Sequence, residues 1–420
     1  MTTRVRQIRS RRSTALRCAA PLVTLALAAT GCGASVTAGR TGESPRSSTT
    51  SGTATDVPPA AASTPSPTGT GTCTDRVFSG MTTAQRVGQL FMGGISAAHP
   101  DQAQLSTLRD HHVGSIMLTG RSTAGVAATR KTVDGFQGQA DKVDGRRVGL
   151  LVSTDQEGGQ VQVLNGPGFS AMPNGLTQGS WPTSTLRSQA AGWAKQLKDA
   201  GVNLNLAPIA DVVPASLGTR NVPIGSFKRE YGDTPDIVTS HSGAFAAGFA
   251  QSGVMTTLKH FPGLGQVIGN TDTTANVVDS VTTASSPSLE PFKAGIRAGS
   301  PFVMVSSATY TKIDPKHLAA FSPTVISHLL RDQLGFKGVV ISDDIGNAVA
   351  VRSFTPAQRA VNFIAAGGNM ILTVRPSTVP AMTQAVEARM RQDASFRAKV
   401  DDSVRRILAA KQSAGLLDCH

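Results

Sequence analysis

The 420-residue chain lacks three signatures that would announce a bound helper. It has no Cys/His spacing of a metal site, no glycine-lysine loop to cradle phosphate and no dinucleotide fingerprint, so no cofactor and no metal are expected. Its 43 glycines and 23 prolines follow no three-residue period, which excludes a collagen-like rod. Acids are outnumbered, 27 against 40 basic residues, giving a formal charge of +13. That excess would point to nucleic acid if it were spread over a folded surface. It is not: six arginines lie before residue 20 with no acid among them, and from Cys32 onward 34 basic residues meet 27 acids. Nucleic acid is therefore not an expected partner.

The arginine-rich start runs into an apolar stretch, Leu16 to Thr30, too short for a permanent bilayer span and closing on small residues. Residues 1–31 are expected to be an export signal. Ala29-Thr30-Gly31-Cys32 resembles the bacterial lipobox, in which the cysteine sulfur takes the lipid, so Cys32 is the expected lipidation site and the protein an exported, membrane-anchored one on the extracytoplasmic face. Ordinary cleavage near Ala28 is the alternative. Arg11-Arg12 lacks the following aromatic or leucine of a twin-arginine signal, which favours Sec export. Residues 32–74 are Ser, Thr, Pro, Gly and Ala with almost no large apolar side chain, the composition of a flexible tether. Cysteine is scarce, four in all, and only Cys73 and Cys419 remain once Cys18 leaves with the signal and Cys32 is lipidated. In an oxidising compartment they can form a disulfide; two free terminal thiols are the alternative.

Residues 75–420 contain no second linker and form one expected domain. Eight apolar runs alternate with helical stretches: Val87–Ile95, Gly114–Thr119, Val148–Ser153, Val202–Ala207, Val254–Leu258, Phe302–Ser306, Gly338–Ile341 and Asn369–Thr373. Continuous apolar strands alternating with helices imply an α/β fold with a parallel sheet, and eight such units imply a (β/α)8 TIM-type barrel. Chemistry in that fold gathers beyond the carboxyl ends of the strands. Three runs lead there into polar clusters: Thr154-Asp155-Gln156-Glu157-Gly158-Gly159, Lys259-His260-Phe261-Pro262-Gly263 and Ser342-Asp343-Asp344. Any one alone could be a helix cap. Three on one face make a site.

With Val87-Gly88-Gln89-Leu90-Phe91, Met172-Pro173, Ala207-Pro208, Asp211-Val212 and Gly335-Phe336-Lys337-Gly338-Val339-Val340-Ile341 in the same order, the chain resembles the family 3 glycoside hydrolases, and among them the single-domain bacterial β-N-acetylglucosaminidases. The resemblance implies that Asp343 is the nucleophile, that Asp344 supports the turn, and that Asp155, Lys259, His260 and Arg229 hold the sugar. A retaining glycosidase needs one ionised carboxylate to attack the anomeric carbon and a second group, about 5 Å away, to protonate the leaving oxygen.

That second group is where the chain departs from its relatives. They carry an Asp-Ser-His triplet on the loop after the Lys-His-Phe-Pro-Gly segment; here the stretch is Gly269-Asn270-Thr271-Asp272-Thr273-Thr274, with Asp272 where the His is expected and Asn270 where its orienting Asp is expected. An aspartic acid can serve if burial beside Asp343 raises its pKa. Asp272 is thus the expected acid/base, and a mere loop cap is the alternative. Gly158-Gly159-Gln160 in place of Gly-Gly-Arg, Ser306-Ser307 near a frequent histidine and Asn369 in place of an aspartate leave exact specificity open. The expected function is a retaining exo-glycosidase releasing terminal β-linked N-acetylglucosamine from wall-derived oligosaccharides. A β-glucosidase-like enzyme and a non-catalytic glycan-binding barrel stay open beside it.

Overall fold

A computed structural model describes residues 72–418. The export signal, Cys32 and Cys419 lie outside the described residues. Eight parallel strands form one sheet: β1 (Phe91–Ser96), β2 (Ser115–Thr119), β3 (Leu151–Thr154), β4 (Leu204–Asn205), β5 (Met255–Phe261), β6 (Phe302–Val305), β7 (Val339–Ser342) and β8 (Ile371–Thr373). Each pairs with its sequence neighbours, and β1 also pairs with β8. A parallel bridge between Ile341 and Met370 links β7 to β8 and closes the ring. The (β/α)8 barrel is the observed fold.

A helical segment follows every strand, from Gln102–Asp110 after β1 to Val379–Gln392 after β8; the one after β6, Thr324–Gln333, is π-helical. Their starts follow from local chemistry. Thr355 and Gln358 form a reciprocal capping box ahead of Pro356–Ala365, and Thr234 caps Pro235–Gln251 with proline in its first turn. Both sides of the strands are dry, as all-parallel sheets require: β3, β6, β7 and β8 are buried throughout.

Two boundaries differ from expectation. The run Val87–Ile95 is not one strand: Thr83–Gln89 is helical behind a Thr82/Gln85 capping box, and β1 starts at Phe91. Val87 and Leu90 are apolar because one face of that turn is buried against the barrel, which mimics a strand run. A helix, Cys73–Gly80, also occupies residues 73 and 74, where tether was expected. It docks on the last helix, Ala394–Ser413: the Thr74 hydroxyl donates to Gln412 Oε1 at 2.7 Å, and the guanidiniums of Arg86 and Arg405 lie 4.0 and 3.7 Å from the Phe78 ring centre. Cys73 is disulfide-bonded. The chain after that last helix bridges Leu417 to Val148, just ahead of β3. Both described ends thus gather at the amino-terminal end of the barrel strands.

Candidate active site

A cavity of about 270 Å³ opens at the carboxyl ends of the strands. Its floor is a ring of four apolar side chains, Met117, Leu206, Met304 and Leu372, contributed by or next to the even-numbered strands. Four side chains from alternate strands make one layer of a barrel interior. Above this floor the lining turns polar: Asp155, Arg229, Lys259, His260, Asn270, Asp272, Asp343 and Asp344 all face one space. Every residue expected to catalyse or bind from the sequence is brought together.

One wall is a continuous ionic network. Lys259, near the end of β5 and 2% exposed, places Nζ 2.6 Å from Asp155 Oδ1 and 2.6 Å from Glu157 Oε1. Arg229 grips the same Glu157 with two bonds, Nε to Oε2 at 2.8 Å and Nη2 to Oε1 at 2.7 Å. Planar two-point contact of this kind fixes the guanidinium as well as pairing its charge. His260, joined to Lys259 by a cis peptide bond, holds Nδ1 2.7 Å from Asp211 Oδ2, and its Nε2 lies 3.4 Å from Arg229. Asp211 is fully buried and accepts from the backbone amides of His260 and Leu264 as well.

The chain around Glu157 is held as firmly. Asn205 of β4 accepts from the Gln156 amide and donates to its carbonyl, both at 3.0 Å, while the Gln178 side chain donates to the Glu157 carbonyl at 2.7 Å. Gly158 follows with φ of +108°, and a Cβ there would lie 2.1 Å from the Pro173 carbonyl oxygen. Only glycine permits that approach. Burial works to raise the Glu157 carboxyl, but the charges of Arg229 and Lys259 outweigh it and bring its pKa down to about 2. The same pairing overcomes desolvation at both cations and raises Lys259 and Arg229 above their ordinary values. All three groups are ionised at neutral pH.

Among the described residues the opposite wall has no such cation. Asp343 follows β7, its amide donating to the Val305 carbonyl of β6 at 3.0 Å, and its side chain is half-buried. Asp344 turns away to organise the loop, its Oδ1 accepting from the amides of Gly346, Asn347 and Val374 at 2.9, 3.3 and 3.1 Å. Asp272 reaches solvent at the mouth while protein encloses its other sides. Loss of bulk hydration, and next the negative charge of Asp343, raise its pKa to about 6. Asn270 does not touch the Asp272 carboxyl: its Oδ1 accepts from the Asp272 backbone amide at 2.9 Å, so it shapes the loop instead. Among the described residues no group of three or more His, Cys, Asp or Glu side chains is arranged to hold a metal ion.

Residues 82–410 match the glycosyl hydrolase family 3 N-terminal domain. The chain belongs to glycosyl hydrolase family 3. Among relatives of this family 3 glycoside hydrolase, a β-hexosaminidase of Xylella fastidiosa (strain M23) is 33% identical over 314 residues, spanning 72% of this chain and 88% of its own. A β-hexosaminidase of Xanthomonas oryzae pv. oryzae is 35% identical over 248 residues, 57% of this chain and 72% of its own. The crystal structure of a β-N-acetylhexosaminidase from Beutenbergia cavernae superposes with a TM-score of 0.77 at 50% identity, covering 79% of this chain and 99% of that one.

Two members of the family 3 site carried no role in the sequence reading. Glu157 is the shared anion of the network, and Asp211 is the buried partner of His260. Asp211 has a readable signal, a lone acid between apolar neighbours in Ile209-Ala210-Asp211-Val212-Val213. Glu157, ahead of Gly-Gly, looks like an ordinary turn; its partner Arg229 is 72 residues away. The departures seen in the sequence sort themselves as well. Asn369 is structural, its Oδ1 accepting from Val340 and Arg331 and its amide donating to Ser403. Ser306 is tied to the Tyr310 hydroxyl at 2.9 Å.

Proposed function

We propose that the protein is a retaining exo-β-N-acetylglucosaminidase in which Asp343 is the nucleophile and Asp272 the acid/base. The observation that carries this reading is that Asp272 shares the cavity with Asp343 while its pKa is raised to about 6 by burial and by that neighbour. A group poised near the working pH is what proton transfer demands. The ionised Asp343 carboxylate attacks the anomeric carbon as the bond to the leaving oxygen breaks and Asp272 gives that oxygen its proton. The resulting Asp272 carboxylate then takes a proton from water, whose oxygen displaces Asp343 from the sugar. Lys259, Arg229, His260 and Asp155 hold the hydroxyls of the sugar being released. A closed floor under a small cavity admits a chain end, which favours exo action. Support for the N-acetylglucosaminide as substrate comes from the β-hexosaminidase relatives.

The test compares chitobiose with 4-nitrophenyl N-acetylglucosaminide. Asp272→Ala should lower kcat/KM on chitobiose by roughly 10²- to 10⁴-fold and that on the aryl glycoside far less, because nitrophenolate leaves without a proton, while the water step that both substrates share slows and limits kcat. Azide should restore turnover of the aryl substrate and yield a β-glycosyl azide. Equal slowing of both substrates with no azide effect overturns the assignment of Asp272. Binding without turnover of either substrate by the wild type would make this a glycan-binding barrel, and preference for the aryl glucoside would make it a β-glucosidase.

The export reading belongs to the same proposal: a signal over residues 1–31, a lipid on Cys32, and wall-derived oligosaccharides as the substrate outside the membrane. Fatty-acid labelling of the full chain in a bacterial host, abolished by Cys32→Ser, is the expected result. Cys419 is proposed as the disulfide partner of Cys73, so denatured protein should titrate without free thiol from this pair. In the chain-entropy view, closing so long a loop is worth at most about 4–5 kcal/mol.

A further inference from the structure

Apart from the packing of Thr271, which is 2% exposed, the segment 269–276 that carries Asp272 is held by few hydrogen bonds. Inside it, the Asp272 amide bonds Asn270 Oδ1, and the amides of Thr273 and Thr274 bond the Asn270 carbonyl. From outside, among the described residues, it receives two hydrogen bonds, and both come from one loop: Val349 donates its amide to the Asp272 carbonyl at 3.1 Å and Ala350 to the Thr271 carbonyl at 3.0 Å. Those donors lie in the loop after β7, the same loop that begins at the Asp343 carboxylate.

That loop is fastened from two sides. From the cavity, Asp344 Oδ1 collects the amides of Gly346, Asn347 and, from the end of β8, Val374. From behind, Arg359 of the helix Pro356–Ala365 is 7% exposed and lies outside the cavity lining. It donates Nη1 to the Ile345 and Gly346 carbonyls at 3.1 and 3.0 Å and Nε to the Phe354 carbonyl at 2.8 Å, spanning both ends of the loop. A side chain at the mouth whose segment hangs on two bonds takes its position from whatever fixes the donors.

We propose that the loop Asp344–Phe354 is a clamp that sets the position of Asp272, and that Asp344 and Arg359 are positioning residues for proton transfer to the leaving group. The proposal rests on Asp272 being the acid/base, and it assigns the two residues a function distinct from support of the nucleophile. Asp343 is fixed by its own amide bond to β6 and its place at the end of β7; its Oδ1 also accepts from the Asp344 backbone amide at 2.8 Å, a bond that side-chain substitution of Asp344 or Arg359 leaves in place. Loosening the clamp should therefore impair the step that needs Asp272 and spare the attack by Asp343. Misplacement of a reacting group by about 1 Å can cost on the order of 10²-fold.

The experiment measures kcat and KM on chitobiose and on 4-nitrophenyl N-acetylglucosaminide for Asp344→Ala, Asp344→Asn, Arg359→Lys and Asp272→Ala. Asp344→Ala and Arg359→Lys should lose roughly 10- to 100-fold in kcat/KM on chitobiose and less than about threefold in kcat/KM on the aryl glycoside, since kcat/KM ends at the glycosyl-enzyme and leaves out the later water step that Asp272 serves on both substrates. Asp344→Asn keeps the Oδ1 acceptor and should recover most of the chitobiose activity. In Asp272→Ala/Asp344→Ala the second change should add nothing to the chitobiose loss, since nothing is left to position. Should Arg359→Lys fail to fold, the Asp344 pair decides alone. Equal loss on both substrates, or an additive double variant, overturns the clamp while a leaving-group-selective Asp272→Ala still upholds the acid/base. If Asp272→Ala is itself unselective, the acid/base reading fails, and the clamp falls with it.

Discussion

On one wall of the cavity Lys259 and Arg229 share Glu157, and His260 leans on the buried Asp211; the other carries Asp343, Asp344 and Asp272, and among the described residues no cation is bonded to any of these three carboxylates. The paired wall is preorganised: its charges are matched, its side chains cannot turn, and the network stays ionised. The unpaired wall is held at higher energy. Without a bonded cation, Asp272 and Asp344 are both raised above the ordinary carboxylate value, mainly by desolvation and with the charge of Asp343 adding to it, which leaves Asp272 available to carry a proton. In the proposed mechanism, binding and chemistry are divided between two electrostatic regimes on facing walls of one cavity.

The difference can be broken most severely at the nucleophile. Asp343→Asn keeps the size and removes the attacking charge, so activity should fall on the order of 10⁴-fold or more with the melting temperature nearly unchanged; wild-type-like turnover would remove Asp343 from its role. On the paired wall, Glu157→Gln leaves two buried cations short of an anion. Unfolding in denaturant should show a loss of about 3–5 kcal/mol, where a loss below about 1 kcal/mol would mean that the network contributes little. The same carboxylate gives a pH signature. Its folded pKa, about 2, lies below the ordinary 4.5, so the stability it contributes is present above about pH 4.5 and is lost as pH falls toward 2. Acid titration of the wild type and of Glu157→Gln should diverge in that window.

Asp211→Asn is smaller. It keeps an acceptor for the backbone amides but strips the charge facing His260, worth about 1.5–3 kcal/mol in a charge-assisted bond, and should appear mainly in KM for the sugar. Smallest is the pH limb of the unpaired wall. Asp272 titrates near 6, and the general acid must be protonated, so kcat/KM on chitobiose should decline above about pH 6 by tenfold per unit. Asp272→Asn should flatten that limb, and an unchanged limb would assign it to another group.

Much of this was legible in the chain itself. Seven strands are legible within a few residues because dry parallel strands read as continuous apolar runs, and the cluster residues Asp155, Lys259 and Asp343 follow directly from strand ends. The first strand reads too long in the sequence because Val87 and Leu90 are apolar for a helix face, and the Thr82/Gln85 box that starts that helix is a short polar signal beside a strong apolar one. Register with relatives points to Asp272, yet nothing local to it announces the raised pKa, which arises first from desolvation in the folded cavity and next from the charge of Asp343, 71 positions on. Glu157 and Asp211 acquire meaning only through partners 49 to 102 residues distant, separations at which a linear pattern carries no information about contact.

The position of the chain ends gives the barrel a direction. Thr74 meets Gln412, and Leu417 bridges to Val148 ahead of β3, so both ends leave at the strands' amino-terminal end, opposite the cavity mouth. The polar residues of the cavity are therefore reached from the side of the barrel away from Thr72 and Leu417, and neither described end stands in the way of a chain entering it.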